Sequence, residues 1–145
     1  GLSGRGARLN VPAGSGEALV IDESYNANPA SMRATLQVLA HETGRKIAVL
    51  GEMRELGEHS DVFHAELSGP IEAAGVDYAI LVGEAMGALA EALEGRIDFV
   101  HVPDAATAGA RLDAVLGAGD AVLVKGSNGV RLSTIVAALT ERAPA

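Results

Sequence analysis

Cysteine and tryptophan are both missing from this 145-residue chain, and its aromatics amount to two Tyr and two Phe. The lack of Cys excludes a disulfide scaffold, a thiolate zinc site and a cysteine nucleophile. Cations are scarce: 11 Lys plus Arg stand against 19 Asp plus Glu, a net charge of −8, and Lys46 and Lys125 are the sole lysines. That balance speaks against a general nucleic-acid binder, which needs clustered Lys and Arg for phosphates. No apolar run approaches the roughly 20 residues of a membrane span. The opening Gly1-Leu2-Ser3-Gly4-Arg5 lacks the charged-then-apolar pattern of a secretion signal. No phosphate-loop pattern G-x-x-x-x-G-K-S/T occurs, and Gly14-Ser15-Gly16 precedes an apolar run instead of following one. Neither G-x-S-x-G nor H-E-x-x-H is present. The chain alone is therefore not a nucleotide hydrolase of the common kind.

What is present is an ordinary globular core. Apolar residues make up 48% of the chain, enough for one domain of this length. Five apolar runs, Ala18–Ile21, Ile47–Leu50, Tyr78–Val82, Ile97–Val100 and Ala121–Val124, read as strands covered on both faces. Between them apolar residues recur at helical spacing: Met32, Leu36 and Leu39; Met86, Leu89, Ala90 and Leu93; Ala108, Leu112 and Val115; Leu132, Ile135, Val136 and Leu139. The alternation predicts an α/β domain with a mainly parallel sheet of about six strands. Asn28-Pro29 predicts an N-cap followed by Pro at the first helical position, and Pro103-Asp104 opens a later helix. Gly44 is a candidate stop for the first helix. Gly69-Pro70 predicts a kink or restart near Ser68 in the helical stretch 60–74. Residues 1–16, with five Gly and Pro12, read as a hinge segment with a loose hairpin, and 17–145 as the domain proper. The glycine-rich opening and the missing Met lead us to expect one domain of a longer protein.

A parallel sheet puts the C-terminal ends of its strands on one rim, where ligands bind. Three polar segments fall there: Asp22–Pro29, Gly51–Gly57 and Lys125–Gly129. Asp22 and Glu23 could accept hydrogen bonds from a ribose diol; alternatively both are solvated while Asn28 caps a helix and Tyr25 packs. Lys125-Gly126-Ser127-Asn128-Gly129 could cradle a phosphate or a carboxylate, or Ser127 or Asn128 could simply cap the last helix. Glu52 or Glu55 could meet an ammonium group, or the Gly51–Gly57 loop is only solvated. His64 reads as a surface or core filler, and its five-residue spacing from His59 does not suit a metal on one helix face. The loops Val82-Gly83-Glu84 and His101-Val102-Pro103 read as plain connections.

The run Asp22-Glu23-Ser24-Tyr25-Asn26-Ala27-Asn28-Pro29-Ala30-Ser31-Met32 adds a further signal. With Gly51-Glu52-Met53-Arg54-Glu55-Leu56-Gly57, the following His64 and Leu123-Val124-Lys125-Gly126-Ser127, it resembles the C-terminal domain of the Mur ligase family. The resemblance covers essentially the whole chain. It implies a Rossmann-like fold and a three-domain enzyme whose other two domains bind the UDP-sugar and carry the phosphate loop and the Mg2+ ligands. It further implies an ATP-dependent ligase of peptidoglycan precursor synthesis in the cytoplasm. In that reaction ATP activates UDP-N-acetylmuramoyl-tripeptide as an acyl phosphate, which the amine of D-alanyl-D-alanine attacks. Carried over by motif, Arg5, Asp22, Glu23, Asn26 and Asn28 are expected on the nucleotide side, with Arg8 a rival to Arg5. Glu23 stands where the family commonly has Asp at the ATP ribose. Glu52, Glu55, Lys125 and Ser127 are expected near the dipeptide, while His64 matches its motif without an assigned role. No catalytic residue is expected in the isolated chain. The competing reading is a stand-alone small-molecule-binding or regulatory α/β module.

Overall fold

The computed structural model describes residues 4–142. The first three residues of the expected hinge segment lie outside them. The strands are β1 (Ala7–Ala13), β2 (Gly16–Glu23), β3 (Lys46–Gly51), β4 (Tyr78–Val82), β5 (Asp98–Val102) and β6 (Ala121–Lys125). The helices are α1 (Pro29–Ala40), α2 (Ser60–Ala65), α3 (Ser68–Ala73), α4 (Gly87–Leu93), α5 (Ala105–Val115) and α6 (Ser133–Thr140). The six strands form one sheet in the order β1-β2-β6-β3-β4-β5. β1 and β2 pair antiparallel, and every other pair is parallel. The expected α/β class and mainly parallel sheet are thus observed.

The apolar strands look continuous in sequence because two cores share them. One core holds Met32, Leu36 and Leu39 of α1, Ile71 of α3 and Leu89 of α4 against Ile21, Leu50, Leu81 and Leu123. The other holds Leu112 of α5 and Ile135, Val136 and Leu139 of α6 against Val20, Val49, Val82 and Val124. Neighbouring strand residues alternate between the two, as the pleat requires. This alternation extends to the polar strand ends and decides which side of the sheet each faces.

Several helix boundaries follow the expected chemistry. Asn28 caps α1: its Oδ1 accepts the Ser31 N–H at 2.9 Å, and the Ser31 hydroxyl accepts the Asn28 N–H at 3.0 Å. Asp104 caps α5 by accepting the Thr107 N–H at 2.8 Å. The 60–74 stretch breaks after Ala65 and restarts at Ser68.

Four expectations are corrected. The hairpin is not loose: β1 pairs with β2 through seven registered residues, and the ladder runs on through Gly6 N–H to Asp22 O at 2.8 Å and Tyr25 N–H to Gly4 O at 3.0 Å. β5 is not buried on both faces, because it is an edge strand with Asp98 and His101 exposed. Gly44 does not stop α1, which ends at Ala40 with His41 as its C-cap. Gly44 instead makes a turn at φ +84°, where a Cβ would strike the Gly119 carbonyl. Neither Ser127 nor Asn128 caps α6: a 3-10 turn, Asn128–Val130, comes between, and α6 starts at Ser133.

Candidate functional site

The rim divides at β6. From β2 and β3 the chain passes to α1 and α2 on one face, whereas from the intervening β6 it passes to α6 on the other. Opposed exits of neighbouring strands are where ligand crevices open in such sheets. The backbones come very close at this point. A Cβ on Gly126 would lie 2.8 Å from Leu132 Cδ1 and 3.0 Å from Gly51 Cα, so glycine is required by the approach itself.

On the α1 side stand Glu23, Asn26 and Lys125. Glu23 and Lys125 are register partners on β2 and β6. Lys125 is only 3% exposed, and its Nζ donates to the Asn26 carbonyl at 2.8 Å. Burial holds the lysine below its ordinary pKa, and the nearby Glu23 opposes that shift. The Glu23 carboxylate lies beside Gly6, and no hydrogen bond among the described residues engages it. Arg5 is held over the Tyr25 ring with its guanidinium carbon 3.9 Å from the centroid.

The structure separates several residues that the motifs group together. Asp22 is neither solvated nor on the side of Glu23. It is 2% exposed, and its carboxylate accepts from Gly4 N–H at 2.9 Å, Ser24 N–H at 3.1 Å and Ser24 Oγ at 2.5 Å. Asp22 therefore folds the rim, and Glu23 is the member of the pair that no hydrogen bond among the described residues engages. Asn28 spends its side-chain oxygen on α1. Arg8 pairs with Glu42, just beyond the end of α1 opposite to the rim, at 2.8 Å, so Arg5 is the rim arginine. Lys125 lies under Asn26, away from Glu52 and Glu55.

On the α6 side a cleft of about 580 Å³ opens among Glu52, Arg54, Gly83, Asp104, Gly129 and Arg131. The loops after β4 and β5, expected to be plain connections, form two of its walls. Gly83, at φ +109°, lets the chain pass directly under the Glu52 carboxylate, which accepts the Ala85 N–H at 3.0 Å. The other Glu52 oxygen lies 3.5 Å from Arg54 Nε. The Arg54 guanidinium packs on Gly129, whose Cβ would meet its central carbon at 3.3 Å. Glu55 is exposed in the turn at φ +62°. Ser127, between the two sides, is 5% exposed, and its hydroxyl has no hydrogen-bond partner in the described residues.

Two arginines of the cleft, Arg54 and Arg131, were not singled out from the sequence. Arg54 stood in view inside Gly51–Gly57. Arg131 takes the left-handed conformation at φ +65° after the 3-10 turn, which no local pattern announces. His64 is not a surface group: it is fully buried and accepts the Met53 N–H at 2.9 Å.

Comparison with known proteins agrees with this fold. The family model for the Mur ligase, glutamate ligase domain matches residues 7–128. The UDP-N-acetylmuramoyl-tripeptide–D-alanyl-D-alanine ligase of Escherichia coli (strain K12) is 36% identical over 125 residues, 85% of this chain and 27% of that protein. A crystal structure of MurF from Acinetobacter baumannii superposes with a TM-score of 0.83 at 30% identity, over 98% of this chain and 31% of that one. The MurF ligase of Thermotoga maritima in complex with ADP gives a TM-score of 0.79 at 25% identity, over 97% and 31%. The chain thus spans less than a third of the length of these relatives. With most of its residues matched by the family model, it belongs to the Mur ligase, glutamate ligase domain family.

Proposed function

We propose that this chain is the C-terminal domain of a three-domain, ATP-dependent ligase that joins D-alanyl-D-alanine to UDP-N-acetylmuramoyl-tripeptide. The observation that carries the reading is the two-sided rim, with one side suited to a nucleotide and the other to a small zwitterion. Glu23, at a strand end and without an internal partner, suits the two hydroxyls of a ribose. Arg5, poised over Tyr25, suits phosphate oxygens. Asn26, tied to Lys125, shapes the wall between them. In the cleft, Arg54 and Arg131 suit a carboxylate, and Glu52, Glu84 and Asp104 surround space for an ammonium. Ser127 offers an unspent hydroxyl at the boundary. Glu55 stands exposed on the turn.

The chain's own residues bind, orient and exclude water. ATP supplies the phosphoryl group that makes the tripeptide carboxylate reactive, and closing this rim over the activated group protects it from hydrolysis. We assign the phosphate loop and the Mg2+ ligands to the rest of the longer protein. We place that protein in the cytoplasm, where ATP and UDP-linked precursors are made. Among the described residues no helix is long and apolar enough to cross a membrane.

The test uses the full protein that carries this chain. Phosphate release and product formation are measured with ATP, UDP-N-acetylmuramoyl-tripeptide and D-alanyl-D-alanine, then with glutamate or diaminopimelate in place of the dipeptide. Turnover with the dipeptide alone is expected. Turnover with glutamate or diaminopimelate instead would overturn the reading.

A further inference from the structure

His64 lies on α2, eleven residues after Met53, and both of its ring nitrogens are engaged. Nε2 sits 2.9 Å from the Met53 backbone N–H, and Nδ1 sits 2.7 Å from the Ser60 carbonyl. An amide N–H can only donate and a carbonyl can only accept, so Nε2 is bare and Nδ1 carries the proton. The ring is therefore neutral and of one tautomer, within a fully buried site.

The residue it grips is the centre of the cleft loop. Glu52 N–H donates to Val82 O at 3.0 Å, and the Glu52 carboxylate reaches Ala85 N–H. Arg54 leaves the backbone immediately after Met53, and the turn then needs left-handed Glu55 and Gly57 at φ +62° and +59°. A turn with two such residues has no regular hydrogen-bond ladder to hold it. The imidazole supplies the missing acceptor at the N–H of Met53, the residue between the two cleft side chains.

We propose that His64 is a positioning residue for the cleft: its bare Nε2 fixes the Met53 peptide and so sets where Glu52 and Arg54 present their charges to the incoming substrate. This rests on the reading that the cleft receives the dipeptide. A purely structural histidine would affect folding alone. A positioning histidine affects the binding of one substrate and not the other.

Two substitutions separate these roles in the full protein. His64→Gln places an amide oxygen near the position of Nε2 and keeps an acceptor for Met53. His64→Asn keeps a donor near Ser60 O and leaves the Met53 N–H unpaired. The expected result is that His64→Asn raises the KM for D-alanyl-D-alanine about tenfold or more, as one orphaned buried N–H allows. His64→Gln should stay within about threefold of the parent, and the KM for ATP should move less than about twofold in both. Equal shifts in the two variants, or an ATP KM that follows the dipeptide KM, would overturn the proposal. Arg54→Ala, run alongside, tests the cleft itself: an unchanged dipeptide KM there would sink the cleft reading and not the loop contact. The contact is read separately by 15N shifts of the histidine ring in the parent protein. Bare Nε2 with protonated Nδ1 is expected at neutral pH, and the reverse would overturn the proposal even if neither variant folded.

Discussion

The Lys125 ammonium donates to the Asn26 carbonyl at 2.8 Å, joining two rim segments that lie 99 residues apart in the chain. The contact ties the β6 end to the loop that leads from Glu23 into α1. It also buries a lysine, which pushes its pKa down. Where the folded pKa is depressed, the unfolded state binds more protons between that value and the unfolded one, near about 10.4. Stability therefore rises with pH across that window. Below it both states are protonated and the cost of burying the charge is paid in full. Lys125→Met should abolish this alkaline gain, as read from denaturant midpoints between about pH 8 and 10.5 for parent and variant. A rise of the same size in Lys125→Met would show that other groups cause it.

Asp22 and Glu23 are adjacent carboxylates with opposite tasks. Asp22 accepts three hydrogen bonds while almost fully buried. Bonds to a charged group contribute about 1.5–3 kcal/mol each, and the three are not additive. Asp22→Ala should cost roughly 3 kcal/mol or more of stability. Glu23→Ala should leave the melting temperature nearly unchanged and raise the KM for ATP roughly ten- to a hundredfold in the full protein. Melting curves paired with ATP kinetics distinguish the two, and an unaltered ATP KM for Glu23→Ala would remove Glu23 from the ribose.

Much of the fold was legible in the sequence because β2, β3, β4 and β6 are covered on both faces, so each of these four appears as an unbroken apolar run. The caps at Asn28 and Asp104 and the break near Ser68 were legible because their chemistry is local. The task of Asp22 was not, since it depends on which face the pleat gives it and on Gly4 approaching from β1's end. The walls built by Gly83 and Pro103 were missed because a short loop looks the same whether it closes a turn or lines a cleft. The role of His64 could not be read either, because its partner is a peptide N–H on another element.

Gly126 and Gly109 should respond in opposite directions to alanine. At Gly126 the added methyl would lie 2.8 Å from Leu132 Cδ1 and 3.0 Å from the Gly51 backbone, which cannot yield. Gly126→Ala should cost about 1–3 kcal/mol through this overpacking. At Gly109, in the middle of α5, the added methyl would meet Ile135 Cγ1 at 3.6 Å, an ordinary packing distance. Gly109→Ala should add about 0.5–1 kcal/mol by raising helix propensity and narrowing the unfolded ensemble. Chemical denaturation of both variants decides it, and a neutral Gly126→Ala would mean that the backbones at the switch point can part.

Arg131 sets stability against binding at a single residue. Its φ of +65° is a left-handed conformation that costs an L-residue about 1–2 kcal/mol. Its side chain nevertheless lines the cleft beside Arg54. Arg131→Gly relieves the backbone but widens the unfolded ensemble, which takes back about 0.5–1 kcal/mol. The net expectation is a small gain in stability, about 0.5–1 kcal/mol, together with a raised KM for the dipeptide in the full protein. Arg131→Asn, whose short side chain tolerates the same conformation, should also raise the KM, because it too lacks the guanidinium. A stability gain with an unchanged KM would show that Arg131 only turns the chain. A loss of stability would show that the guanidinium itself holds the rim together.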